Sequence, residues 1–460
     1  MLDFSNIEAY RENNRIEAKK ALGGLPKSIW ETYSAFANTL GGIILLGVEE
    51  YPDHTLHPIH LPKAPRLIEE FWSLVNNPQR VSVNILMERH VQLIQAEGCQ
   101  IVAITVPRAQ RYDRPVYLDG NPLNAYRRSG EGDYKCTKDE VWAMIRDAAR
   151  VTRDMQMLPE LGLEALCAES LRRYRSLMSA VRPGHAWEKL KDKEFLQRIG
   201  AASKDENGAL HPTAAGLLLF GHGYAIVREF PYYSLTYREG SARALARSEE
   251  PDGVFDFYLW VSEKLMQSRA PAWSFPALRE ALANTLINAD YDGEQGVCIT
   301  RESSRITFEN PGTFRVSVDE AKAGGVSDPR NRAVMKMFTL VDIGTGGGSG
   351  LAGIYELWQK NALRMPEIVE TLRPERTALV LSFEPGESAG GGTQLVLKAA
   401  ADRMLVLEHL TSHAQATSAD IAARLGVSPA RARTLLRRLI DEKIVVAEGS
   451  RRQRVYRLRR

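Results

Sequence analysis

Between Pro276 and Gly312 the chain reads PALREALANTLINADYDGEQGVCITRESSRITFENPG, and no other stretch narrows the fold as far. Ala277–Ala289 predicts a helix, because Pro276 is a natural helix start and the segment is rich in Ala and Leu. Glu280, Asn284 and Asn288 recur every fourth residue, which places them in one slanting stripe. Leu278, Leu282, Leu286 and Ile287 occupy the other faces and suit a core. Two Asn inside a helix lower its intrinsic propensity. A carboxylate beside side-chain amides, however, is what a site needs to hold Mg²⁺ and orient a water near a phosphate. Val297–Ile299 and Arg305–Phe308 predict strands, with a turn at Asn310-Pro311-Gly312. From spacing alone, a polar helix face followed by a hairpin fits as well as a site does.

Further motifs shift that balance. REALANTLINADY, FENPG, SDPRNRAVMKMF and GTGGGSGLAGIYELWQKNAL, taken in order, resemble the divergent histidine-kinase-like (GHKL, Bergerat-fold) ATPase domain of RecG-like bacterial proteins, over residues 270–385. The resemblance implies an α/β sandwich that binds ATP and Mg²⁺. Glu280 would activate water and Asn284 would bind the metal, with Asn288, Asn310 and Gly312 beside the nucleotide. The Gly-rich lid of that family maps onto Gly344, Gly346, Gly348 and Gly350, whose backbone N–H groups can approach phosphates with no Cβ in the way. The family's Asp-x-Gly-x-Gly turn, whose Asp reads adenine, is represented here by Asn310-Pro311-Gly312. At this turn the chain departs from the pattern on which the family's adenine recognition and hydrolysis rest. The glycine run lacks GxxxxGK[ST], which excludes a Walker-type ATPase.

A length of 460 residues predicts about three domains. Cys99, Cys136, Cys167 and Cys298 are scattered, which fits buried thiols in a reducing cytosol and neither a disulfide framework nor a zinc site. The N-terminus lacks a basic, apolar signal sequence. The longest apolar runs, such as Ile43–Val48 and Ala214–Phe220, are too short to span a bilayer. A cytoplasmic protein without a membrane partner is expected. Charge is unevenly spread. Residues 401–460 hold thirteen Lys or Arg against six Asp or Glu, a net +7 in a chain whose total is +3, so the remainder carries −4. A basic tail on a near-neutral body points to a polyanion.

The first 150 residues predict a sheet domain. A strand or helix start at Arg15–Ala21 leads to an amphipathic helix at Pro26–Thr39, ended by Gly41-Gly42. Ile43–Val48, Val81–Leu86, His90–Ala96, Gln100–Pro107 and Leu118–Arg127 predict strands. A helix at Thr137–Arg150 is capped by Thr137, with Glu140 in the capping-box position. Glu12-x4-Glu17-x-Lys19, then ETYSAFANTLGGIILLGVEE and YRRSGEGDYKC, look like the Schlafen-AlbA domain. Domains of that type bind nucleic acid, and some are metal-dependent RNases that cut tRNA with three carboxylates. Two of those map onto Glu12 and Glu17, and the third onto Glu49-Glu50, where the family has Asp. Such a cluster would hold Mg²⁺ or Mn²⁺ against a phosphodiester. Lys19, Lys20, Arg127 and Arg128 are candidate phosphate contacts, although charges near a terminus are commonly a solvated face.

Residues 151–269 predict a connecting region, with helices at Leu163–Ser179, where Arg172, Arg173 and Arg175 are exposed, and at Trp187–Arg198. A buried small-residue segment at Thr213–Phe220, a strand at Tyr232–Tyr237 and a helix at Asp252–Ser268 follow. RRYRSLM, WEKLKDKEFLQRIG and LHPTAAGLLLFG resemble the same region of RecG-like proteins. His211 and His222 stand singly and suggest no catalysis. After a linker at 386–394, residues 395–460 predict helices at Asp402–Ser412, Ser418–Leu425 and Ser428–Asp441, then strands at Ile444–Val446 and Arg454–Leu458. That order resembles a winged helix-turn-helix. Arg431, Arg433, Arg437 and Arg438 would lie on the groove helix, and Arg451, Arg452 and Arg454 on the wing.

The expected architecture is therefore multi-domain α+β: a Schlafen-AlbA mixed sheet (1–150), the connecting region, a GHKL α/β sandwich (270–385) and a winged helix. Three functions follow. The first is an ATP-binding, nucleic-acid-binding protein of the transcription-regulator or antiviral-defence kind, acting on DNA or RNA. The second is a Schlafen-like metal-dependent endoribonuclease. The third is a scaffold with a degenerate nucleotide site. Both domain types often dimerise, so a homo-oligomer is compatible with the resemblance.

Overall fold

A computed structural model describes residues 15–240, 251–267, 270–344 and 350–386 and, beyond these, 406, 410, 415–425, 432, 436–437, 439–440, 445–448 and 455–458. Two compact units partition the chain, one comprising 1–301, 307–353 and 368–379, the other 302–306, 354–367 and 380–460.

The first unit opens with β1 (Ile16–Lys19), α1 (Ile29–Asn38), β2 (Gly42–Leu46), the short antiparallel pair β3 (Val48–Glu50) and β4 (Leu56–Pro58), and α2 (Ala64–Val75). A hairpin of β5 (Val91–Ala96) and β6 (Cys99–Val106) follows. These strands make a four-stranded sheet in the order β1-β2-β6-β5, with β1 parallel to β2 and the rest antiparallel. Nine of the ten residues of α1 are buried, so the helix is covered on all sides. Its polar residues survive burial because they serve an extended segment. Ser34 Oγ donates to Val116 O (2.7 Å), Asn38 Nδ2 donates to Val116 O and Tyr126 O (2.9 Å each), and Val116 N donates to Asn38 Oδ1 (2.8 Å). Gly41, at φ +74°, turns the chain where a Cβ would lie 2.8 Å from Val106 O.

The second hairpin, β7 (Tyr126–Ser129) and β8 (Gly132–Lys135), leads into α3 (Lys138–Ala148). Thr137 and Glu140 form the expected capping box. Two predicted strands form only in part, Val81–Leu86 and Leu118–Arg127, of which the second contributes Tyr126 and Arg127 to β7. In Val81–Leu86 only Val81 makes a bridge, to Leu118. Further along, Ile85 N donates to Tyr33 Oη and Leu86 N to Asn84 Oδ1, so side chains take bonds a ladder would have made. Leu118–Asn124 is instead a turn, with Asn121 N bonded to Leu118 O and Asn124 N to Asn121 O, as Gly120 and Pro122 favour.

The connecting region packs α4 (Ala168–Val181), α5 (Asp192–Ile199), the hairpin β9 (Ala202–Lys204) and β10 (Leu210–Pro212), α6 (Ala214–Phe220) and α7 (Gly223–Glu229). Tyr174 meets Phe195, Phe220 and Phe255 edge-on at the centre of this cluster. Both predicted helices begin later than expected, at Ala168 and Asp192, each after a single 3₁₀ turn. Arg175 is not exposed. It donates to the carbonyls of Glu188 and Leu190 and pairs with Asp192, closing one helix over the start of the next.

A five-stranded sheet then forms in the order β11-β12-β13-β15-β14, from β11 (Leu235–Glu239), β12 (Val297–Arg301), β13 (Arg305–Pro311), β14 (Glu367–Leu372) and β15 (Glu375–Ser382). Its first strand comes from well upstream of residue 270 and runs parallel to β12, with Leu235 opposite Val297. The helices are α8 (Val254–Met266), α9 (Phe275–Asn288), α10 (Val318–Ala323), α11 (Arg332–Leu340) and α12 (Gly350–Lys360).

In the second unit, α13 (Ser418–Leu425) matches its predicted bounds. A three-stranded antiparallel sheet, β16 (Ala416–Thr417), β18 (Val455–Leu458) and β17 (Val445–Glu448), packs with it around Val406, Leu410, Ile421, Ala432, Leu436 and Tyr456.

Candidate functional site

The helix α9 carries the site because its apolar residues leave it only one way to lie. Leu278, Leu282 and Leu286 are fully buried, which turns the Glu280, Asn284 and Asn288 stripe toward a cleft of about 150 Å³. Asn310 at the end of β13, Gly344, and Gly350 at the start of α12 line the same cleft. So do apolar side chains, among them Phe308, Phe314, Ile343 and Leu379. Six residues from separate motifs thus converge. Gly312 does not line the cleft, but its neighbour Thr313 does. Gly346 and Gly348 lie outside the described residues.

Close approach explains the glycines. A Cβ on Gly350 would lie 2.0 Å from Glu280 Oε1 and 3.0 Å from Asn284 Nδ2. Gly344, at φ +71°, adopts a backbone form that side chains disfavour, and its Cβ would face Ala283 and Ile287 of α9. Both described ends of the glycine run therefore sit over the helix stripe. Asn284 Nδ2 donates to Glu280 Oε1 at 3.3 Å, which turns the amide oxygen away from that carboxylate. Asn288 Nδ2 donates to Asn284 O of its own helix.

The C-terminal end of α9 is capped by the start of the SDPRNRAVMKMF stretch, a role its local sequence does not reveal. Asn331 Nδ2 donates to Ile287 O and Ala289 O, and Arg330 Nε donates to Asn288 O, so orphan carbonyls of the helix end are satisfied. Arg330 Nη2 also donates to Thr313 O, and its guanidinium packs against Gly312, where a Cβ would be 2.8 Å from Nη2. Gly312, at φ +90°, is held between Glu375 O, to which its N–H donates, and the Thr377 hydroxyl, which donates to its carbonyl. Asn310 is buried, and its Nδ2 donates to Pro311 O.

Residues before 150 reach this cleft, which local sequence does not reveal either. Arg108 donates to Thr313 Oγ1 and Phe314 O and pairs with Glu370. Arg111 binds Asp328 and the carbonyls of Asp147 and Ala149. Asp147, on α3, binds both Arg315 and Arg330. Burial alone would raise the Asp147 carboxyl, but the two guanidiniums outweigh it and hold it well below the usual range. Arg114 is buried beside Arg108, and burial first, then that neighbour, pushes its pKa down to about 10. Asp154 accepts from Ala333 N and Val334 N and so caps α11 from a distance of nearly 180 residues. Burial raises its carboxyl despite those bonds.

The described N-terminal carboxylates are held in ion pairs. Glu17 pairs with Lys19 (2.8 Å) and Arg128 (2.8 Å), and Arg128 also pairs with Asp133. Glu49 pairs with Lys20, and Glu50 with His54. Glu49 and Glu50 are successive strand residues and point to opposite faces, so they do not act together. Among the described residues no three His, Cys, Asp or Glu side chains gather to hold a metal, and Glu12 lies outside those residues. Arg127 and Arg128, expected as phosphate contacts, are buried, the first paired with Glu140 and the second lying over Phe36. On the third helix of the C-terminal domain Arg437 is exposed. Arg431, Arg433, Arg438, Arg451, Arg452 and Arg454 lie outside the described residues. The four cysteines are free thiols. Among the described residues no helix is long and apolar enough to cross a membrane.

Comparison with known proteins places names on this arrangement. Family models match for Schlafen AlbA_2 (residues 12–137), a domain of unknown function, DUF8451 (142–236), the C-terminal part of putative ATP-dependent DNA helicase RecG (294–381), and a winged helix-turn-helix DNA-binding domain (403–446). Among solved structures, the DIP2311 protein of Corynebacterium diphtheriae is 18% identical, with 97% of this chain and 95% of that one covered and a TM-score of 0.40. The N-terminal domain of a putative ATP-dependent DNA helicase RecG-related protein from Nitrosomonas europaea is 30% identical, with 30% of this chain and 95% of that one covered and a TM-score of 0.24. No curated protein matches the chain. The chain thus combines a Schlafen AlbA_2 domain, a RecG C-terminal-type, ATPase-like domain and a winged helix-turn-helix domain.

Proposed function

We propose that this protein binds ATP with Mg²⁺ in the α9 cleft and binds nucleic acid through its terminal domains, nucleotide occupancy biasing that engagement. One observation carries the nucleotide reading: Glu280, Asn284, Asn288, Asn310, Gly344 and Gly350 all line one cleft. A carboxylate and an amide oxygen one helical turn apart are hard oxygen donors of the kind Mg²⁺ accepts alongside waters and phosphate oxygens. Asn284 would hold the ion through the amide oxygen that faces away from Glu280, with Glu280 beside it to orient water, and the ion would supply charge neutralisation at the phosphates. The apolar wall suits a base, and the glycine run suits phosphates. Nucleic-acid binding is supported by the winged-helix and AlbA_2 matches and by the +7 charge of residues 401–460.

The test is a thermal-shift titration with ATP and Mg²⁺, repeated on Asn284→Ala. The wild type should melt higher with nucleotide, by about 3 kcal/mol of added stability at a hundredfold excess over Kd. Asn284→Ala should lose most of the gain. A wild type indifferent to nucleotide would leave the scaffold reading in its place.

A further inference from the structure

Arg315 and Arg330 border two cavities at once. They line the α9 cleft, and they line a second, smaller space of about 20 Å³ whose other walls include Arg146, Asp147, Asp154 and Asp290. Both guanidiniums bind the same oxygen, Asp147 Oδ1, Arg315 at 2.9 Å. Both side chains are about 7% exposed or less, so water screens them poorly. Among the nearby carboxylates, Asp328 is taken up by Arg111 and Arg332, and Asp290 by Arg146. Among the described residues Asp147 is thus the carboxylate ion-paired with both of these cations, whereas Glu375 acts on Arg330 only through space, and Asp147 comes from α3.

We infer that Asp147 is a positioning residue that limits how tightly the cleft holds anionic ligands, by neutralising Arg315 and Arg330 from behind. This rests on reading the cleft as a nucleotide site. With Asp147 present the three side chains sum to one positive charge, and without it they sum to two. In a wall this dry, one added charge acts on a polyphosphate with little attenuation, whereas an uncharged ligand does not respond. The restraint is linked to α3, so the helix that leaves the Schlafen AlbA_2 domain sets the electrostatic strength of the ATPase-like domain.

The experiment measures Kd for ATP and for adenosine by calorimetry on the full chain. Asp147→Asn should bind ATP on the order of tenfold tighter than wild type and adenosine unchanged. Arg315→Gln should weaken ATP by a similar factor, again sparing adenosine. The double variant, with its charge balance restored, should return to near the wild-type value for ATP, a reversal that a merely structural role for Asp147 does not produce. Unchanged or weaker ATP binding in Asp147→Asn overturns the inference, as does a parallel change for adenosine. If Asp147→Asn fails to fold, Arg315→Gln decides alone, and wild-type ATP affinity in that variant overturns it. A wild type that binds neither probe defeats the nucleotide reading itself. A wild type that binds ATP while every variant matches it defeats only the role of Asp147.

Discussion

Replacing Gly350 with Ala should separate stability from binding. Gly350 is the first residue of α12, a helical position at which Ala fits the backbone. In a helix, Ala is favoured over Gly by up to about 1 kcal/mol. The added methyl, however, would lie 2.0 Å from Glu280 Oε1, 2.8 Å from its Cδ and 3.0 Å from Asn284 Nδ2. Ordinary packing needs more than about 3 Å, so Glu280 must retreat by roughly 1 Å and its 3.3 Å bond from Asn284 breaks. A displacement of about 1 Å in a positioned group costs on the order of a hundredfold. Gly350→Ala should thus weaken ATP–Mg²⁺ binding by about ten- to a hundredfold, by calorimetry, without lowering the melting temperature in the absence of ligand. Gly353 serves as the control, since it lies on the same helix and a Cβ there meets nothing within 4 Å. Gly353→Ala should gain similar stability and bind normally. Wild-type affinity in Gly350→Ala would refute the placement of Glu280 and Asn284 in the ligand site.

Arg330→Ala removes a buried cation that serves Asp147, Asn288 and Thr313, and should cost about 4 kcal/mol in urea unfolding; a cost under about 1 kcal/mol would show the network to be dispensable. The Asp147 carboxyl titrates below its ordinary value in the folded state, so its contribution is present above about pH 4 and disappears as pH falls. Asp147→Asn should flatten the acid limb of the stability profile below about pH 4, and a limb of unchanged slope would contradict the pairing. Removing residues 395–460 should lower the slope of log DNA affinity against log salt by about 0.9 for every phosphate the tail had neutralised, and an unchanged slope would exclude the basic tail from the interface.

Much of the site was legible because its residues lie in local motifs. The α9 stripe, the Thr137 capping box and α13 follow from short-range patterns, and all are formed. What escaped sequence reading depends on distant partners. The Asp147–Arg330 pair joins residues 183 apart. Arg127 and Arg128 read as surface cations, but β7 lies against α1, and Glu140, Glu17 and Asp133 pair with them. Thr213–Phe220 has no helical period because α6 is buried all round, so only its three-dimensional setting distinguishes it from a strand. Val81–Leu86 alternates like a strand, yet the N–H groups of Ile85 and Leu86 find side chains in place of a neighbouring ladder.

The parallel pairing of β11 with β12 has a practical consequence for anyone dissecting this protein. The stretch recognised as RecG C-terminal-like starts at residue 294, after both the strand at 235–239 and the helix bearing Glu280. A fragment trimmed to that border would expose a bare hydrogen-bonding margin along Val297–Arg301 and discard the groups that define its own cleft, so the recognisable cassette and the portable one are different pieces of chain.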